Sequence, residues 1–179
     1  MLKMKYKNLN YLIIIIYLIS SSFVYAIDRP DFKNLLIHKD KKKIDNIEFI
    51  NSKNQKISLN AYSGNVIIIN FWATWCAPCR EEMPLLNNIK LNEKYKDIEI
   101  IAINIGGDSY EKSKKFFEDL NINNLEIFYA PGAEISQKLS IRGLPTTILI
   151  DKNKYEFARI VGYINFENKS FLDWLNNYL

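Results

Sequence analysis

Two cysteines three positions apart, placed where an apolar run gives way to a helix, set the terms for this chain. The run is Val66 to Phe71 (VIIINF). It is continuous and rich in β-branched residues, the pattern of a strand buried on both faces. Cys76-Ala77-Pro78-Cys79 follows after a short loop. Beyond it, Leu85, Leu86, Ile89 and Tyr95 fall on one side of a segment, which reads as a helix from Cys76 to about Tyr95. Pro84 lies inside that helix, removes the bond to residue 80 and is expected to kink it.

The same unit then repeats in kind. Ile98 to Ile105 reads as a second buried strand, and Ser109 to Leu120 as a helix with Phe116, Phe117 and Leu120 inward. Leu125 to Tyr129 is a third strand and Glu134 to Leu139 a short helix. Thr146 to Ile150 and Tyr155 to Val161 form a hairpin around Asp151-Lys152-Asn153-Lys154. Phe166 to Tyr178 closes the chain as a helix with Phe171, Trp174 and Leu175 buried. Ahead of all this, Ile47 to Ile50 and Lys56 to Leu59 make an early hairpin. Strands alternating with helices favour parallel pairing with right-handed crossovers, and the terminal hairpin adds antiparallel strands. The fold class is α/β: a three-layer sandwich on a mixed central sheet. At 179 residues and 48% hydrophobic content, one domain with a full core is expected.

The first 26 residues stand apart. Lys3, Lys5 and Lys7 precede the apolar stretch Tyr11 to Ile19, and Val24-Tyr25-Ala26 ends the segment with a small residue. This is the pattern of an export signal cut after Ala26. Counted on to Ile27, the stretch also approaches the lower limit for a membrane anchor. Either way the body is expected outside the cytoplasm. Residues 27–46, with the charge run His38-Lys39-Asp40-Lys41-Lys42-Lys43, read as a solvated polar linker, and residues 47–179 as the domain. Of the 24 basic residues three lie in the first 26, against 20 acidic ones. A nearly neutral body carries no footprint for nucleic acid.

The thiol pair has three readings: half of a metal site, a structural disulfide, or a redox centre. The chain has no other cysteine, so a four-thiolate zinc site is excluded by count and no disulfide framework exists. A bond between neighbouring helical turns closes a tiny loop and stabilises little. At a helix start, free amides and the helix dipole favour a thiolate. That makes Cys76 the expected nucleophile and Cys79, one turn in, the buried resolving thiol. Pro78 lacks an N–H, which costs little in a first turn.

The stretch Asn70-Phe71-Trp72-Ala73-Thr74-Trp75-Cys76-Ala77-Pro78-Cys79-Arg80-Glu81-Glu82-Met83-Pro84, with Gly143-Leu144-Pro145-Thr146-Thr147 later in the chain, resembles thioredoxin-like proteins. It is most similar to their exported TlpA/ResA branch, associated with cytochrome c maturation. The resemblance spans Ile47 to Leu179 and places one extra β-α unit between Cys79 and Pro145. It implies that Pro145 is cis and faces the disulfide, offering backbone beside Cys76 to a substrate peptide; the plainer reading is a proline starting a strand. Cytoplasmic thioredoxins have an aspartate where Asn70 stands. In the exported branch a glutamate three residues after the second cysteine serves instead, and Glu82 matches it. A partly buried Glu82 would have a raised pKa and exchange a proton with Cys79; its alternative is a solvated first-turn acid. Trp75, Ala77, Pro78, Leu144 and Thr146 are the expected substrate contacts, and Trp72 a packing residue.

The resemblance implies reduction of disulfides in exported proteins, such as apocytochrome c or a copper-site protein. Electrons would come from a membrane thiol carrier, and no cofactor beyond the Cys76–Cys79 disulfide is needed. The chain is expected to act as a monomer, anchored in the membrane if its first segment is kept. Two alternatives remain at this level. A disulfide-forming oxidant usually has a histidine between the cysteines and a large helical insertion, and this chain has neither. A copper metallochaperone would want a further ligand, but His38 lies in the expected linker and Met83 within the helix. A peroxidase is not suggested by a dithiol exchange motif.

Overall fold

A computed structural model describes residues 29–179 apart from Ser63 and Pro131. The expected export or anchor segment therefore lies outside the described residues. Among the described residues no helix is long and apolar enough to cross a membrane.

Eight strands form one mixed sheet. In chain order they are β1 (Leu35–Lys43), β2 (Glu48–Ile50), β3 (Lys56–Ser58), β4 (Val66–Trp72), β5 (Ile98–Asn104), β6 (Ile127–Tyr129), β7 (Thr146–Ile150) and β8 (Tyr155–Val161). Their order across the sheet is β1-β8-β7-β4-β5-β6-β2-β3. The apolar run that opened the sequence argument is β4, at the centre, and every residue of it is buried. It pairs parallel with β5 and antiparallel with β7. β6 joins β5 in parallel, and the early hairpin β2–β3 docks on β6.

The helices are α1 (Ala77–Leu91), α2 (Tyr110–Asp119), α3 (Glu134–Lys138) and α4 (Lys169–Leu175). Two apolar layers sandwich the sheet. One joins Val66, Ile68 and Trp72 of β4 to Cys79, Met83 and Leu86 of α1, Phe116 and Phe117 of α2, and Phe171, Trp174 and Leu175 of α4. The other joins Ile67, Ile69 and Phe71 to Phe49, Leu59, and Ile135 of α3. Alternate β4 residues therefore feed opposite layers, as the two-residue strand period requires. Trp72 packs against Phe116 and Phe117, with ring centroids 4.8 and 5.4 Å away. Its role is packing, as expected. Cutting so large a buried ring to alanine costs about 3–5 kcal/mol.

Three local readings are corrected. Residues 27–46 are not simply a linker: Leu35 to Lys43 form β1, antiparallel to β8. An edge strand has one partner and one solvated margin, so lysines fit it and discourage further pairing. Leu35 enters the core, His38 bonds Glu156 at 2.8 Å, and Lys41 reaches Asp151 at 2.7 Å. Second, the helix expected to reach Tyr95 is divided: α1 passes through Pro84, ends at Leu91, and a 3-10 turn spans Glu93–Tyr95. Third, the last helix begins at Lys169 rather than Phe166, because Asn168 caps it, its side chain accepting from the Ser170 and Phe171 amides. Phe166 stays buried ahead of it.

Candidate active site

The centre of the sheet delivers the cysteines. β4 ends at Trp72, a loop of Ala73, Thr74 and Trp75 turns the chain, and Cys76 becomes the N-cap of α1. Cys76 and Cys79 are joined by a disulfide, with Cα atoms 5.3 Å apart. The Cys79 amide donates to Cys76 Sγ at 3.3 Å. One of the orphan donors at the helix start thus already points at the first sulfur, the arrangement that favours a thiolate there once the bond is reduced. Cys76 keeps 5% of its surface exposed and Cys79 none. The order of exposure is the one read from the sequence, although in the disulfide form even Cys76 shows only a sliver. Trp75 is 68% exposed, and Ala77 and Pro78 are exposed beside it.

Beneath the cysteines lies a buried polar unit. Glu82 sits one turn after Cys79 with none of its surface exposed. The Asn70 amide donates to Glu82 Oε1 at 2.7 Å and to Thr147 Oγ1 at 2.9 Å. Asn70 and Thr147 face each other across the β4–β7 pairing, so the sheet register itself builds the contact. Glu82 Oε2 and Asn70 Oδ1 have no partner among the described residues. Burial pushes the Glu82 carboxyl from 4.5 up to about 8, and the bond from Asn70 opposes this only in part. Glu82 is therefore no solvated first-turn acid. It is a buried group able to hold or release a proton near neutral pH.

The second motif closes the same end of the sheet. The Leu144–Pro145 peptide is cis. Thr146 pairs with Phe71, next to Trp72. The Pro145 carbonyl accepts from the Gly162 amide at 2.8 Å, so that oxygen is committed to β8. Thr146 is buried, and its hydroxyl donates to the Gly143 carbonyl at 2.7 Å, holding the loop shut. Leu144 is half-buried and touches both apolar layers.

Sequence reasoning missed one part of the site. Asp108, in the loop after β5, accepts from the Thr74 amide at 2.8 Å, the Thr74 hydroxyl at 2.6 Å and Asn104 Nδ2 at 3.0 Å. Burial works to raise the Asp108 pKa, but the Thr74 and Asn104 hydrogen bonds, with Lys112 nearby, outweigh it and lower it. The loop that presents Cys76 is thus pinned to the end of β5. Gly106 sits inside this clamp: a Cβ there would lie 2.4 Å from Ala73 Cβ. The Gly106-Gly107-Asp108 turn was legible as a turn, but only the packing shows what it holds.

Among the described residues no group of three or more His, Cys, Asp and Glu is placed to hold a metal. His38 is paired with Glu156 on the edge strand, and Met83 is fully buried in α1.

Known proteins place the chain in a family. The Redoxin family model matches residues 30–172. The thiol-disulfide oxidoreductase ResA of Bacillus cereus is 29% identical over 159 residues, covering 89% of this chain and 91% of that protein. ResA of Bacillus thuringiensis subsp. konkukian is 32% identical over 121 residues, 68% of this chain and 69% of that one. Among solved structures, a secreted thiol-disulfide isomerase from Corynebacterium glutamicum superposes with a TM-score of 0.68 at 22% identity, over 83% of this chain and 95% of its own. The exposed lipoprotein thioredoxin of Streptococcus pneumoniae gives 0.62 at 23% identity, over 74% and 99%. At such identities the structures bear on the fold alone. With the thioredoxin-like sheet, a disulfide at the start of α1 and ResA relatives aligned along most of its length, the chain belongs to the Redoxin family of thiol-disulfide oxidoreductases.

Proposed function

We propose that this thiol-disulfide oxidoreductase works outside the cytoplasm as a reductant of disulfides in exported proteins, with apocytochrome c or a copper-site protein as the substrate class. It takes its electrons from a membrane dithiol carrier, acts as a monomer and uses no cofactor beyond its own two cysteines. The observation that supports this most is the joint placement of Cys76 at the N-terminus of α1 and of a buried Glu82 whose pKa is raised to about 8.

In the reduced protein, Cys76 attacks as a thiolate. Its sulfur bonds one sulfur of the substrate disulfide, and the other substrate sulfur leaves as a thiolate. Cys79 then attacks Cys76 Sγ, the Cys76–substrate bond breaks, the second substrate thiolate leaves, and the Cys76–Cys79 disulfide remains. The substrate has gained two electrons and the enzyme has lost two. The buried Cys79 thiol must lose its proton for this step. Glu82, three residues on along α1, accepts it as a carboxylate, and the departing thiolate takes it up. Trp75, Ala77 and Pro78 form the exposed surface around Cys76, and Leu144, set by the cis bond to Pro145, offers backbone for a peptide. Thr146 shapes that loop rather than reaching outward.

The test is reduction of a model disulfide by the purified chain, paired with a trapping experiment. Cys79→Ser leaves the mixed disulfide on Cys76 unresolved, so exported partners accumulate on it. Cys76→Ala abolishes both. A chain that reduces nothing, with a potential near about −120 mV, is an oxidant instead.

A further inference from the structure

Glu82 is held from one side only. Its Oε1 accepts from Asn70 Nδ2 at 2.7 Å, while its Oε2 has no partner among the described residues. In a neutral acid the oxygen that accepts an N–H bond is the carbonyl oxygen, and the proton sits on the other. Oε2 is therefore the oxygen that takes and gives the proton. Cys79 stands one helical turn before it on the same face of α1.

Which oxygen is free depends on how the Asn70 amide is set. A primary amide carries two N–H groups in one plane. One goes to Glu82 Oε1 and the other to Thr147 Oγ1 at 2.9 Å. Both donors are spent, and the plane is fixed at two points. Asn70 and Thr147 face each other across β4 and β7, and Thr147 has Ile160 of β8 on its other side. Ile68, Trp72, Leu149 and Ile160 belong to the apolar layer around the pair. Thr147 is 1% exposed and Asn70 not at all, so bulk water cannot replace the hydroxyl as acceptor.

The surroundings leave that proton to few hands. In the disulfide form it responds to burial and to the Asn70 bond, with no charged side chain acting on it. Along α1 its titratable companions are Cys76 and Cys79, while Arg80 and Glu81 are exposed. β4 and β7 offer Asn70 and Thr147, which do not ionise, and α2 and α4 meet the layer with Phe116, Phe117 and Phe171.

Given the role proposed above for Glu82, we infer that Thr147 is a positioning residue of the resolving step: its hydroxyl fixes the Asn70 amide, and through it the carboxylate that receives the Cys79 proton. The proton passes from Cys79 Sγ to Glu82 Oε2. The Cys79 thiolate then displaces the substrate sulfur from Cys76, and that sulfur takes the proton as it leaves. Thr147 itself touches no reacting atom. It lies two residues beyond Pro145, so one strand both follows the peptide-facing loop and holds the proton acceptor in place.

The experiment mixes an excess of the reduced full chain, in non-ionic detergent, with dithiobis(nitrobenzoate). Each turnover releases two coloured thiolates, the first when Cys76 attacks and the second when Cys79 resolves the mixed disulfide. In wild type the second phase should quicken as pH rises through the Glu82 value of about 8, because only the carboxylate accepts a proton. Glu82→Gln should move that limb to higher pH, where the Cys79 thiol ionises unaided. Thr147→Val keeps the shape and removes the acceptor. It should raise the midpoint by about half a unit to one unit, slowing the second phase about three- to tenfold at neutral pH, and leave the first phase unchanged. Thr147→Ala should show the same midpoint, and Thr147→Ser, which restores the hydroxyl, should return it to the wild-type value. A second phase slowed equally at every pH, or not rescued by serine, would reduce Thr147 to packing and overturn the inference alone. A Glu82→Gln chain that keeps the wild-type limb overturns the role of Glu82 and the inference with it, while the first phase still reports the redox activity separately.

Discussion

Glu82→Gln tests the buried carboxyl. Its pKa rises from 4.5 to about 8 through burial, so between those values the folded protein holds a proton that the unfolded chain has released. Stability must then fall as pH rises through this window. The sign is opposite to that of a salt-bridged acid. The loss amounts to about 1 kcal/mol near pH 5, about 3 near pH 7 and about 5 near pH 9, an upper bound for one group. Glutamine mimics the protonated acid: its carbonyl still accepts from Asn70, and it never ionises. Urea unfolding of the disulfide form in non-ionic detergent isolates the effect, because cysteines locked in the disulfide do not titrate. The variant should match wild type in acid and exceed it increasingly toward pH 9. A stability difference that stays constant across this range would refute the reasoning and leave Glu82 ionised in the fold.

Asn70→Asp places a second carboxyl 2.7 Å from Glu82 Oε1; the pair should keep one proton across neutral pH and lose about 2–4 kcal/mol, read by the same unfolding series. Asp108→Ala frees the Thr74 amide and hydroxyl, costs about 1–3 kcal/mol and slows alkylation of reduced Cys76. Because the Asp108 pKa is lowered, the stability it supplies to wild type should be present at neutral pH and fade as pH drops through the acid range; equal acid sensitivity in the variant would count against the clamp. Gly106→Ala forces a Cβ to within 2.4 Å of Ala73 Cβ, an overpacking worth about 1–3 kcal/mol that should disturb Cys76 reactivity. Gly107→Ala meets nothing within 4 Å and bears only its φ of +73°, so it should cost about 1 kcal/mol and leave reactivity unchanged.

What was legible in the sequence were the features that local pattern dictates. The unbroken VIIINF run could only be a central strand, and two thiols at the following helix start could only meet at its first turn. Glu82 was visible through the family resemblance, and its place three residues after Cys79 returns it to the same helix face. The contact of its donor Asn70 with Thr147 was not, because it depends on the β4–β7 register, which no local pattern encodes. Asp108 escaped for the same reason: 34 residues separate it from Thr74. β1 was hidden by its own charges. Leu35 and Ile37 alternate as a strand should, but the lysines after them read as solvated linker. An edge position satisfies both signals, and only the presence of β8 as a neighbour decides between them.

That edge strand also sets the order in which the protein can be completed. β1 is the first strand to leave the ribosome, yet its partner β8 is the last of the sheet. Its pairing, Leu35 with Ile160 and Lys43 with Tyr155, spans more than a hundred residues, so the sheet cannot close until nearly all of the chain has been made. During that wait the segment must stay unpaired without seizing another chain. The same lysines that disguised it in the sequence keep it solvated and self-repelling in the meantime, which is the role of gatekeeper residues beside a nascent strand. Neutralising Lys39, Lys42 and Lys43 would leave the finished sheet almost untouched and shift the damage to the interval before it closes.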